Sequence, residues 1–455
     1  MIGWLLACSG GSGRVGPDVV VVSVDTLRHD ALKGPTLEAL VERGRVYTQA
    51  TTPLVRTTPA MASMLSGQLP HNHGSMEVGE PMTAPSLVSS FQEAGWQTVA
   101  VSGSAVASAE QGLDAGFDAF ALLDDPLAGD LTSRALELLP ESGSRFLWVH
   151  YTDPHFPYLP PHASEGPCRK MGRKAAKGKV KRWRIFSNHS DRSSKALDHC
   201  RELYAGEVAQ VDQAIGTLLS AFDDPLVVLT SDHGENFGDW GLWFEHGPDV
   251  HPATARIPLV IAGPGVESGS DPALVQLQDI LPTVMELVGL EPPDVDGRSL
   301  FGPGPVGAPI LSGSALHTRL TGYVRSGRAD KNTCLNGPVY SLCTEGFYNH
   351  VEDPALSTDL GDGFPEERAR LEAAAQLWAP ERARQLAVRG ATHSLVARPT
   401  LEGYERVLFA NGDFETPVED PAVRAQLEPL LPQPPTGSPP VKGQEDALRA
   451  LGYVE

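Results

Sequence analysis

The sequence lacks features that several large classes of protein require. No apolar run in its 455 residues approaches the roughly 20 residues that a membrane-spanning helix needs. Basic residues are in deficit, with 36 Lys and Arg against 57 Asp and Glu, and the net charge of -21 argues against nucleic acid as a partner. Hydrophobic residues make up 41% of the chain, which argues against global disorder. The composition therefore predicts a folded protein with room for one large domain and a smaller companion.

Cysteine is scarce, and its positions form a pattern. Apart from Cys8, the chain has two sequence-local pairs, Cys168 with Cys200 and Cys334 with Cys343. No Cys-x-x-Cys spacing occurs, which disfavours a cysteine zinc site. An even number of cysteines in local pairs predicts two disulfides, Cys168–Cys200 and Cys334–Cys343, and an oxidising compartment. Four unrelated buried thiols are the alternative.

The first residues resemble the lipobox of bacterial lipoproteins. The tetrapeptide Leu-Leu-Ala-Cys ends at Cys8, and small residues follow it over 9–13. The apolar stretch is shorter than in an ordinary signal peptide, and no Lys or Arg precedes it. We expect residues 1–17 to be a leader and flexible tether that anchors the protein to the bacterial cell envelope through a lipid on Cys8. A cytoplasmic start with an apolar tail is the alternative.

Residues 18–310 alternate between β-branched runs and helical stretches. The run from Asp18 to Asp25 is continuously apolar before its polar end, as is typical of a parallel strand buried on both faces. Strands are predicted at 18–25, 99–102, 146–150 and 225–230, with helices at 36–43, 84–95, 129–139 and 202–221. This alternation predicts an α/β fold with a doubly wound, mostly parallel sheet flanked by helices.

The remaining segments are less regular. Residues 311–431 have short strand patterns that predict a smaller antiparallel subdomain, with one helix at 364–388. Residues 432–455 are interpreted as a proline-rich linker and a terminal helix. The insert 168–201 contains twelve basic and two acidic residues. It is either a solvated loop closed by cysteines or a rim that attracts an anionic substrate or surface.

Polar side chains follow three of the predicted strands. Asp25, His150 and Asp232 all come at or just after a strand's carboxyl end. In open parallel sheets, ligands bind beyond these ends. Asp232 and His233 are adjacent on a turn, so both can reach one cation, and a carboxylate with an imidazole favours zinc or manganese over calcium. A purely structural turn is the alternative.

The segment 57–67 predicts a helix that begins at or near Thr57. Pro59 suits the first turn, and Gly67 suits the C-terminal cap. Free backbone N–H groups at such an N-terminus bind tetrahedral oxyanions, and a hydroxyl held there beside a metal is a candidate nucleophile. Thr57 as a simple helix cap is the alternative. His155, on the loop after a strand, and His246 are candidate proton donors.

Taken together, these segments resemble the sulfatase family of the alkaline phosphatase superfamily, and the resemblance covers nearly the whole chain. The matching motifs, in chain order, are 22–28, 57–67, 69–74, 150–158, 204–208, 232–235, 257–265, 279–283, 296–300 and 451–453. The resemblance implies one divalent metal ion bound by Asp25, Asp232 and His233.

The same resemblance implies the catalytic roles. Thr57 would be the nucleophile and a fourth metal ligand. His155 and His246 would contact the sulfate or phosphate oxygens, and one of them would protonate the leaving group. Arg28 is a further candidate for contact with the anion.

Two departures from the family pattern narrow this expectation. Sulfatases that carry formylglycine have Cys or Ser where this chain has Thr57, and Thr is not converted to formylglycine. Many members also have a second aspartate ligand where this chain has Thr26. Both departures favour relatives with a threonine nucleophile and one metal, so no formylglycine is expected. Zinc or manganese is the favoured ion, with calcium as the alternative.

The resulting expectation is a hydrolase of sulfuric or phosphoric esters. Its substrate would be a small molecule, or a glycan or lipid that bears a sulfate or phosphate ester. One alternative is a phosphoethanolamine-type transferase acting on envelope glycans or lipids. The other is a catalytically inactive binding module with the same fold. Contact with a membrane is expected only through the anchor at Cys8.

Overall fold

The computed structural model describes residues 14–177, 194–239, 250–301, 386–400 and 403–432, residues 244, 246, 247, 360, 363–366, 368 and 369, and six short strands between 307 and 349. Among these residues, no helix is both long and apolar enough to cross a membrane.

An eight-stranded sheet forms the centre of the molecule. Its strands are β1 (Val19–Val24), β2 (Arg45–Thr51), β4 (Gln97–Ser102), β5 (Ala119–Leu122), β6 (Arg145–Tyr151), β7 (Leu226–Thr230), β8 (Leu259–Ala262) and β9 (Gly269–Gln276). Their order is β5-β4-β6-β1-β7-β8-β2-β9, and only β8 runs antiparallel to its neighbours. The predicted doubly wound, mostly parallel sheet is confirmed.

Helices pack on both faces of this sheet. They are α1 (Pro35–Arg43), α2 (Thr57–Ser66), α3 (Pro70–His73), α4 (Val88–Glu93), α5 (Ala128–Leu138), α6 (Pro167–Ala176), α7 (Ser194–Leu219), α8 (Pro252–Ala255) and α9 (Ile280–Leu287). Short 3-10 helices lie at Ala109–Gln111 and Leu277–Asp279. The structure confirms helices in all four regions predicted up to residue 221, although α7 begins earlier and α4 is shorter than expected.

The central strand β1 explains why the sheet is covered on both sides. Its side chains alternate between two apolar clusters, with Val19 and Val21 in one and Val20, Val22 and Val24 in the other. Every residue of the strand is buried. A strand whose two faces are both apolar is stable only between two layers of helices, which places β1 at the middle of the domain.

The C-terminal part forms two further sheets. Their strands are β3 (Leu54–Val55), β10 (Gly307–Ser312), β11 (Arg319–Leu320), β12 (Tyr323–Gly327), β13 (Thr333–Asn336), β14 (Tyr340–Cys343), β15 (Gly346–Asn349), β16 (Leu386–Gly390), β17 (His393–Thr400), β18 (Gly403–Ala410) and β19 (Asp413–Pro417). One sheet has the order β19-β18-β17-β16-β10-β3, and the other is a five-stranded antiparallel meander from β11 to β15. The helix α10 (Pro421–Leu427) and a 3-10 helix (Glu428–Leu430) follow them.

The two parts are joined by β3, which lies just before α2 in the chain. This short strand pairs in parallel with β10 and so belongs to the C-terminal sheet. Leu54 packs with Leu386 and Ala397 in one apolar cluster. The antiparallel subdomain is therefore confirmed, and it holds the segment that leads directly into the helix of Thr57.

Two predictions of local structure were wrong in part. The tether was expected to extend to residue 17, but the backbone N–H groups of Val15 and Gly16 donate to Ser144 Oγ, and Arg14 pairs with Asp18. The helix expected at 364–388 conflicts with β16, which pairs with β10 and β17 from Leu386 onwards. In both cases tertiary hydrogen bonds override the local sequence pattern.

Other predictions lie outside the described residues. These are the lipobox at Cys8, the proline-rich linker, the terminal helix, and most of the basic insert between 178 and 193.

The insert is closed by the disulfide predicted for it. Cys168 and Cys200 are bonded, with their Cα atoms 5.2 Å apart. Both are buried in the apolar cluster on one face of the sheet. For the second pair, the register of β13 and β14 places Cys334 directly opposite Cys343. That bond remains a prediction.

Candidate active site

The register of the central strands determines which polar residues meet at the carboxyl edge of the sheet. Ser23 is paired with His150 on one side and with Thr230 on the other. Asp25 follows Ser23 by two residues, and Asp232 follows Thr230 by two residues. Because residues two apart on an extended chain share a face, Asp25, His150 and Asp232 are directed to one side of the edge.

These three side chains form a buried cluster suited to a metal ion. One ligand atom from each of Asp25, His150 and Asp232 lies within 4.8 Å of the other two. The residues are 4%, 0% and 0% exposed. Two carboxylates and an imidazole so close together, with no solvent to separate them, match the oxygen and nitrogen donors of a divalent transition metal or zinc. The donors of this cluster therefore suit a divalent cation, although the cluster contains His150 and not His233, which the family resemblance implies as a ligand.

Thr26 forms the turn that carries Asp25 into this cluster. Its φ is 58°, in the left-handed region that β-branched residues rarely adopt. The turn directs the Thr26 N–H to Asp232 Oδ1 at 3.1 Å, and the Thr26 carbonyl accepts a hydrogen bond from the Tyr204 hydroxyl at 2.9 Å. An unfavourable backbone conformation is thus held by partners on two other elements.

Asp232 and His233 contact each other on the turn after β7. The His233 N–H donates to Asp232 Oδ1 at 2.8 Å, and His233 Nε2 lies 3.2 Å from Asp232 Oδ2. Gly234 makes this turn possible, because a Cβ there would meet the Ala253 carbonyl oxygen at 2.0 Å. The Gly234 N–H instead donates to the carbonyl of Thr254.

Thr57 begins a buried helix beside this pair. Helix α2 starts at Thr57 and ends at Gly67, which adopts the left-handed cap that its position predicts. Thr57 is fully buried, and its Oγ1 lies 3.3 Å from His233 Nε2. The hydroxyl of Thr58 is occupied elsewhere, since it donates to the Val106 carbonyl and accepts the Gly79 N–H. The two threonines therefore have different environments, and Thr57 is the one that contacts the Asp232–His233 pair.

Three imidazoles converge next to Thr57. The rings of His233 and His246 are stacked with centroids 4.2 Å apart, and His155 contacts His246 at 5.1 Å between centroids. His246 Nδ1 lies 3.4 Å from Glu235 Oε1, and the Tyr158 hydroxyl donates to Glu235 Oε2 at 3.1 Å. The Glu235 carboxylate therefore orients His246. The structure brings His155 and His246 to the same side of the site, as the family resemblance implies.

His150 is held from the strand beside it. Its Nδ1 lies 2.8 Å from Ser23 Oγ, which also accepts a hydrogen bond from Trp148 Nε1 at 2.9 Å. Burial lowers the pKa of His150 to about 4, against the opposing charge of Asp232. The imidazole is thus neutral near pH 7, the form in which it can bind a metal.

Arg28 has a different environment from the other predicted site residues. Its guanidinium donates to both carboxylate oxygens of Asp30, to Asp239 and to the carbonyl of Glu235. Burial alone would lower its pKa, but Asp30 and Asp239 raise it above the ordinary value for arginine. With two carboxylates already bound, Arg28 is better suited to hold the loop after β1 than to bind an anion. It also lines a cavity of about 300 Å³ with Tyr204 and Phe237.

Sequence reasoning missed three contributors. Glu235 was part of a recognised motif, but its link to His246 depends on a contact that sequence does not show. Arg56 donates to the His246 carbonyl at 2.6 Å, and Gly247 leaves room for it. His150 lies at a predicted strand end, but its place in the cluster with Asp25 and Asp232 depends on the pairing of β6 with β1, which the sequence does not show.

The sequence of the chain is similar to those of known proteins. The sequence model of the Sulfatase family matches residues 17–290. The choline-sulfatase of Rhizobium meliloti is 32% identical over 120 residues, which are 24% of this chain and 23% of that protein. A multifunctional alkaline phosphatase superfamily protein, PehA, of Trinickia caryophylli is 29% identical over 209 residues, which are 37% of this chain and 40% of that protein. The matched segments thus span less than half of either relative.

Similarity in fold extends further along the chain. The phosphonate monoester hydrolase SpPMH from Silicibacter pomeroyi superposes with a TM-score of 0.60, covering 91% of this chain and 93% of that chain at 19% sequence identity. At this level of identity the likeness concerns the fold, and it includes the C-terminal sheets as well as the central one.

Proposed function

The chain belongs to the sulfatase family, and from this premise we propose that it is a metal-dependent hydrolase of sulfuric or phosphoric esters with Thr57 as its nucleophile. The contact that best supports the proposal is the one between Thr57 Oγ1 and His233 Nε2, at 3.3 Å. It places a hydroxyl at a helix N-terminus beside the Asp232–His233 pair. Nucleophile, anion-binding N–H groups and metal ligands then meet at one point.

The residues that would hold the ion are Asp25, Asp232 and His233, with Thr57 Oγ1 as a further donor. A bound divalent cation would supply positive charge that lowers the pKa of the Thr57 hydroxyl and offsets the negative charge of the ester oxygens. The burial of Asp25 and Asp232 in one cluster supports this assignment, because two buried carboxylates repel each other unless a cation lies between them.

Each protein group then has a defined task in the displacement. The Thr57 hydroxyl first loses its proton to solvent. Its Oγ1 then attacks the sulfur or phosphorus atom and forms a covalent ester, while the bond to the leaving alkoxide breaks. The free N–H groups in the first turn of α2 stabilise the developing negative charge. Water then cleaves the Thr57 ester and releases sulfate or phosphate.

The leaving alkoxide needs a proton, and two histidines are placed to supply it. His246 is fully buried and oriented by Glu235, whereas His155 is partly exposed beside it. We propose His155 as the donor, because it lies on the solvent side, where the organic part of the substrate would enter. His246 would contact the ester oxygens.

The substrate class follows from this chemistry and from the relatives. A small molecule or a glycan or lipid that bears a sulfate or phosphate ester would present the required tetrahedral anion. Names among the similar proteins include a choline-sulfatase and a phosphonate monoester hydrolase. Sulfate and phosphate groups are both tetrahedral. The proposed substrate class therefore includes esters of both.

The decisive experiment is a panel of aryl sulfate, phosphate monoester, phosphodiester and phosphonate substrates, each tested with zinc, manganese and calcium. Hydrolysis of at least one ester, with zinc or manganese more effective than calcium, is expected. Loss of every activity in Thr57→Ala and in Asp232→Ala would support the site. Undiminished turnover by Thr57→Ala would rule out Thr57 as the nucleophile.

We also propose that the protein lies at the bacterial cell envelope, anchored through Cys8. The motif that ends at Cys8 supports this location, as does the buried disulfide Cys168–Cys200, which is typical of oxidising compartments. In cells, the native protein should partition into detergent, and Cys8→Ser should move it to the aqueous phase. Equal partitioning of both proteins would contradict the anchor.

A further inference from the structure

The buried cluster of Asp25, His150 and Asp232 contains a donor, His150, that the family resemblance does not assign to the metal. We propose that His150 binds the metal ion and provides the ligand that many family members take from an aspartate at the position of Thr26. The inference rests on the metal-dependent function proposed above. His150 lies on β6. The other proposed ligands are Asp25 directly after β1, Thr57 at the start of α2, and Asp232 and His233 on the turn after β7.

Thr26 is unable to take the role of the missing aspartate. Its hydroxyl donates to the carbonyl of the preceding residue, Asp25, at 2.7 Å, and the side chain is fully buried. The backbone at Thr26 is left-handed, and its N–H donates to Asp232 Oδ1. Residue 26 therefore shapes the turn, and the cluster needs a donor from elsewhere.

His150 is placed to be that donor. Its Nε2 belongs to the group of ligand atoms within 4.8 Å of one another, together with oxygens of Asp25 and Asp232. The side chain is fully buried, and among the described residues Nε2 has no hydrogen-bond partner. A buried imidazole nitrogen that faces two carboxylates without such a partner has its lone pair free for a cation.

The other ring nitrogen is held as metal-binding histidines usually are. Nδ1 lies 2.8 Å from Ser23 Oγ, and Ser23 is the residue paired with His150 in the β1–β6 register. Trp148 Nε1 donates to the same oxygen, which helps to hold Ser23 and the ring in one orientation. The Ser23 hydroxyl can accept from or donate to Nδ1. The tautomer that binds a metal is the one in which Nδ1–H donates to Ser23 and Nε2 carries the lone pair.

The extra imidazole changes the chemistry of the cation site. An aspartate at position 26 would give three carboxylates, a set that favours calcium. The observed cluster has two carboxylates, Asp25 and Asp232, and the imidazole of His150, and the family resemblance would add the imidazole of His233. Nitrogen donors favour zinc, manganese and related transition metals over calcium. The ligand set also has one negative charge fewer than three carboxylates would give, which favours a doubly charged phosphate monoester over a singly charged sulfate ester.

The test is cobalt spectroscopy of His150→Cys. The full chain is freed of metal and titrated with Co²⁺, and absorption is recorded in the near ultraviolet. A thiolate at position 150 that binds the ion produces a thiolate-to-cobalt charge-transfer band that the native protein lacks. The matched control is Val149→Cys, the adjacent and equally buried residue of β6, whose side chain lies on the opposite face in the apolar cluster. The control should match the native spectrum.

A second variant decides the matter if His150→Cys does not fold. His150→Gln should bind Co²⁺ or Zn²⁺ at least about a hundredfold more weakly than the native protein, because loss of a direct ligand costs more than the 10–100-fold typical of its supporting residues. His73→Gln is the control, since His73 is also fully buried but contacts Ser63 outside the cluster. Circular dichroism verifies the fold of each variant.

The outcomes separate this inference from the proposed function. Native metal affinity in folded His150→Gln, or no new band in folded His150→Cys, would overturn the role of His150 while leaving the other ligands in place. A native protein that binds no divalent metal at all would instead refute the metal-dependent function itself. A weaker affinity in His150→Gln together with an unchanged His73→Gln would support the inference.

Discussion

At the scale of single residues, the site consists of polar groups whose orientation is fixed by a second partner. Asp232 Oδ1 accepts two backbone N–H groups, from Thr26 and His233. Glu235 contacts His246 with one oxygen and accepts from Tyr158 with the other. Such partners leave each of these side chains few alternative rotamers, which favours a preorganised site over one assembled by the substrate.

Thr57 offers the most direct residue-scale test. Thr57→Val keeps the shape of the side chain but removes the hydroxyl, so ester hydrolysis should fall at least about a thousandfold, as expected for loss of a nucleophile. Thr57→Ser keeps a hydroxyl and should retain measurable turnover. Activity assays, with circular dichroism to verify folding, provide the measurement. Equal activity of the Val and Ser variants would show that the hydroxyl is not the attacking group.

Glu207 gives a prediction for stability against pH. Burial raises the pKa of Glu207 to about 8 from its ordinary 4.5, and the nearby Asp153 adds to the rise. Its Oε1 accepts the Leu159 N–H at 2.6 Å. Because the folded protein holds the proton more tightly, Glu207 favours folding most below pH 4.5, and this contribution is lost as the pH rises towards 8.

Glu207→Gln should remove this loss, since the amide oxygen can still accept the Leu159 N–H. Between pH 5 and pH 8.5, the native protein should lose roughly 2–4 kcal/mol more of its unfolding free energy than the variant does. Urea denaturation at several pH values measures the difference. If the unfolding free energies of the two proteins changed equally with pH, the Glu207 carboxyl would be ionised in the folded protein with little loss of stability.

At the scale of elements, parallel pairing of β1 with β6 and β7 decides which strand ends meet. The register pairs Ser23 with both His150 and Thr230, so a slip of one residue in either pair would turn His150 or Asp232 to the opposite face. The continuous apolar pattern of these strands does not by itself specify the register. Helix packing on both faces and the turn at Thr26 contribute the further interactions that specify the register.

Register also supports the second disulfide. Cys334 and Cys343 are direct partners on the antiparallel strands β13 and β14, and Cα atoms of such partners are about 4.5–5.5 Å apart, within the range that a disulfide spans. Mass spectrometry of a non-reduced digest should recover one peptide pair joined by Cys334 and Cys343. Alkylation of both thiols in unreduced native protein from an oxidising compartment would contradict the prediction.

At the scale of the whole molecule, the C-terminal sheet supports helix α2, which begins at Thr57. Strand β3 leaves the central domain to pair with β10, and α2 begins two residues after it ends. Leu54 of β3 is fully buried against Leu386 and Ala397. The start of α2, and with it Thr57, is therefore anchored from the C-terminal part of the chain.

Leu386→Ala tests this coupling. Loss of the side chain should cost about 2–5 kcal/mol of stability and also lower the activity of the folded protein, because the support under β3 is weakened. Leu395→Ala in the neighbouring strand is the control, since Leu395 packs with Leu408 and Leu427, away from β3. The control should lose stability but keep turnover per folded molecule. Equal turnover in the two variants would argue against the coupling.

The sequence alone determined the class of fold and most of the candidate site. Apolar runs that end in Asp25, His150 and Asp232 predicted parallel strands with a site at their carboxyl ends, and both the sheet and the cluster are observed. Spacing around Thr57 predicted a helix that ends at Gly67, which the structure confirms. These features depend on local pattern, because strand burial and helix capping are set by neighbouring residues.

Only the tertiary structure decided how those residues act together. Glu235 meets His246, β3 joins the C-terminal sheet, and Leu386 belongs to a strand where a helix was predicted. His150 becomes a candidate ligand through the pairing of Ser23 with it, while Arg28 is bound by Asp30 and Asp239. Each of these outcomes depends on contacts between residues distant in sequence, and such contacts are set by strand register and packing that no local pattern encodes.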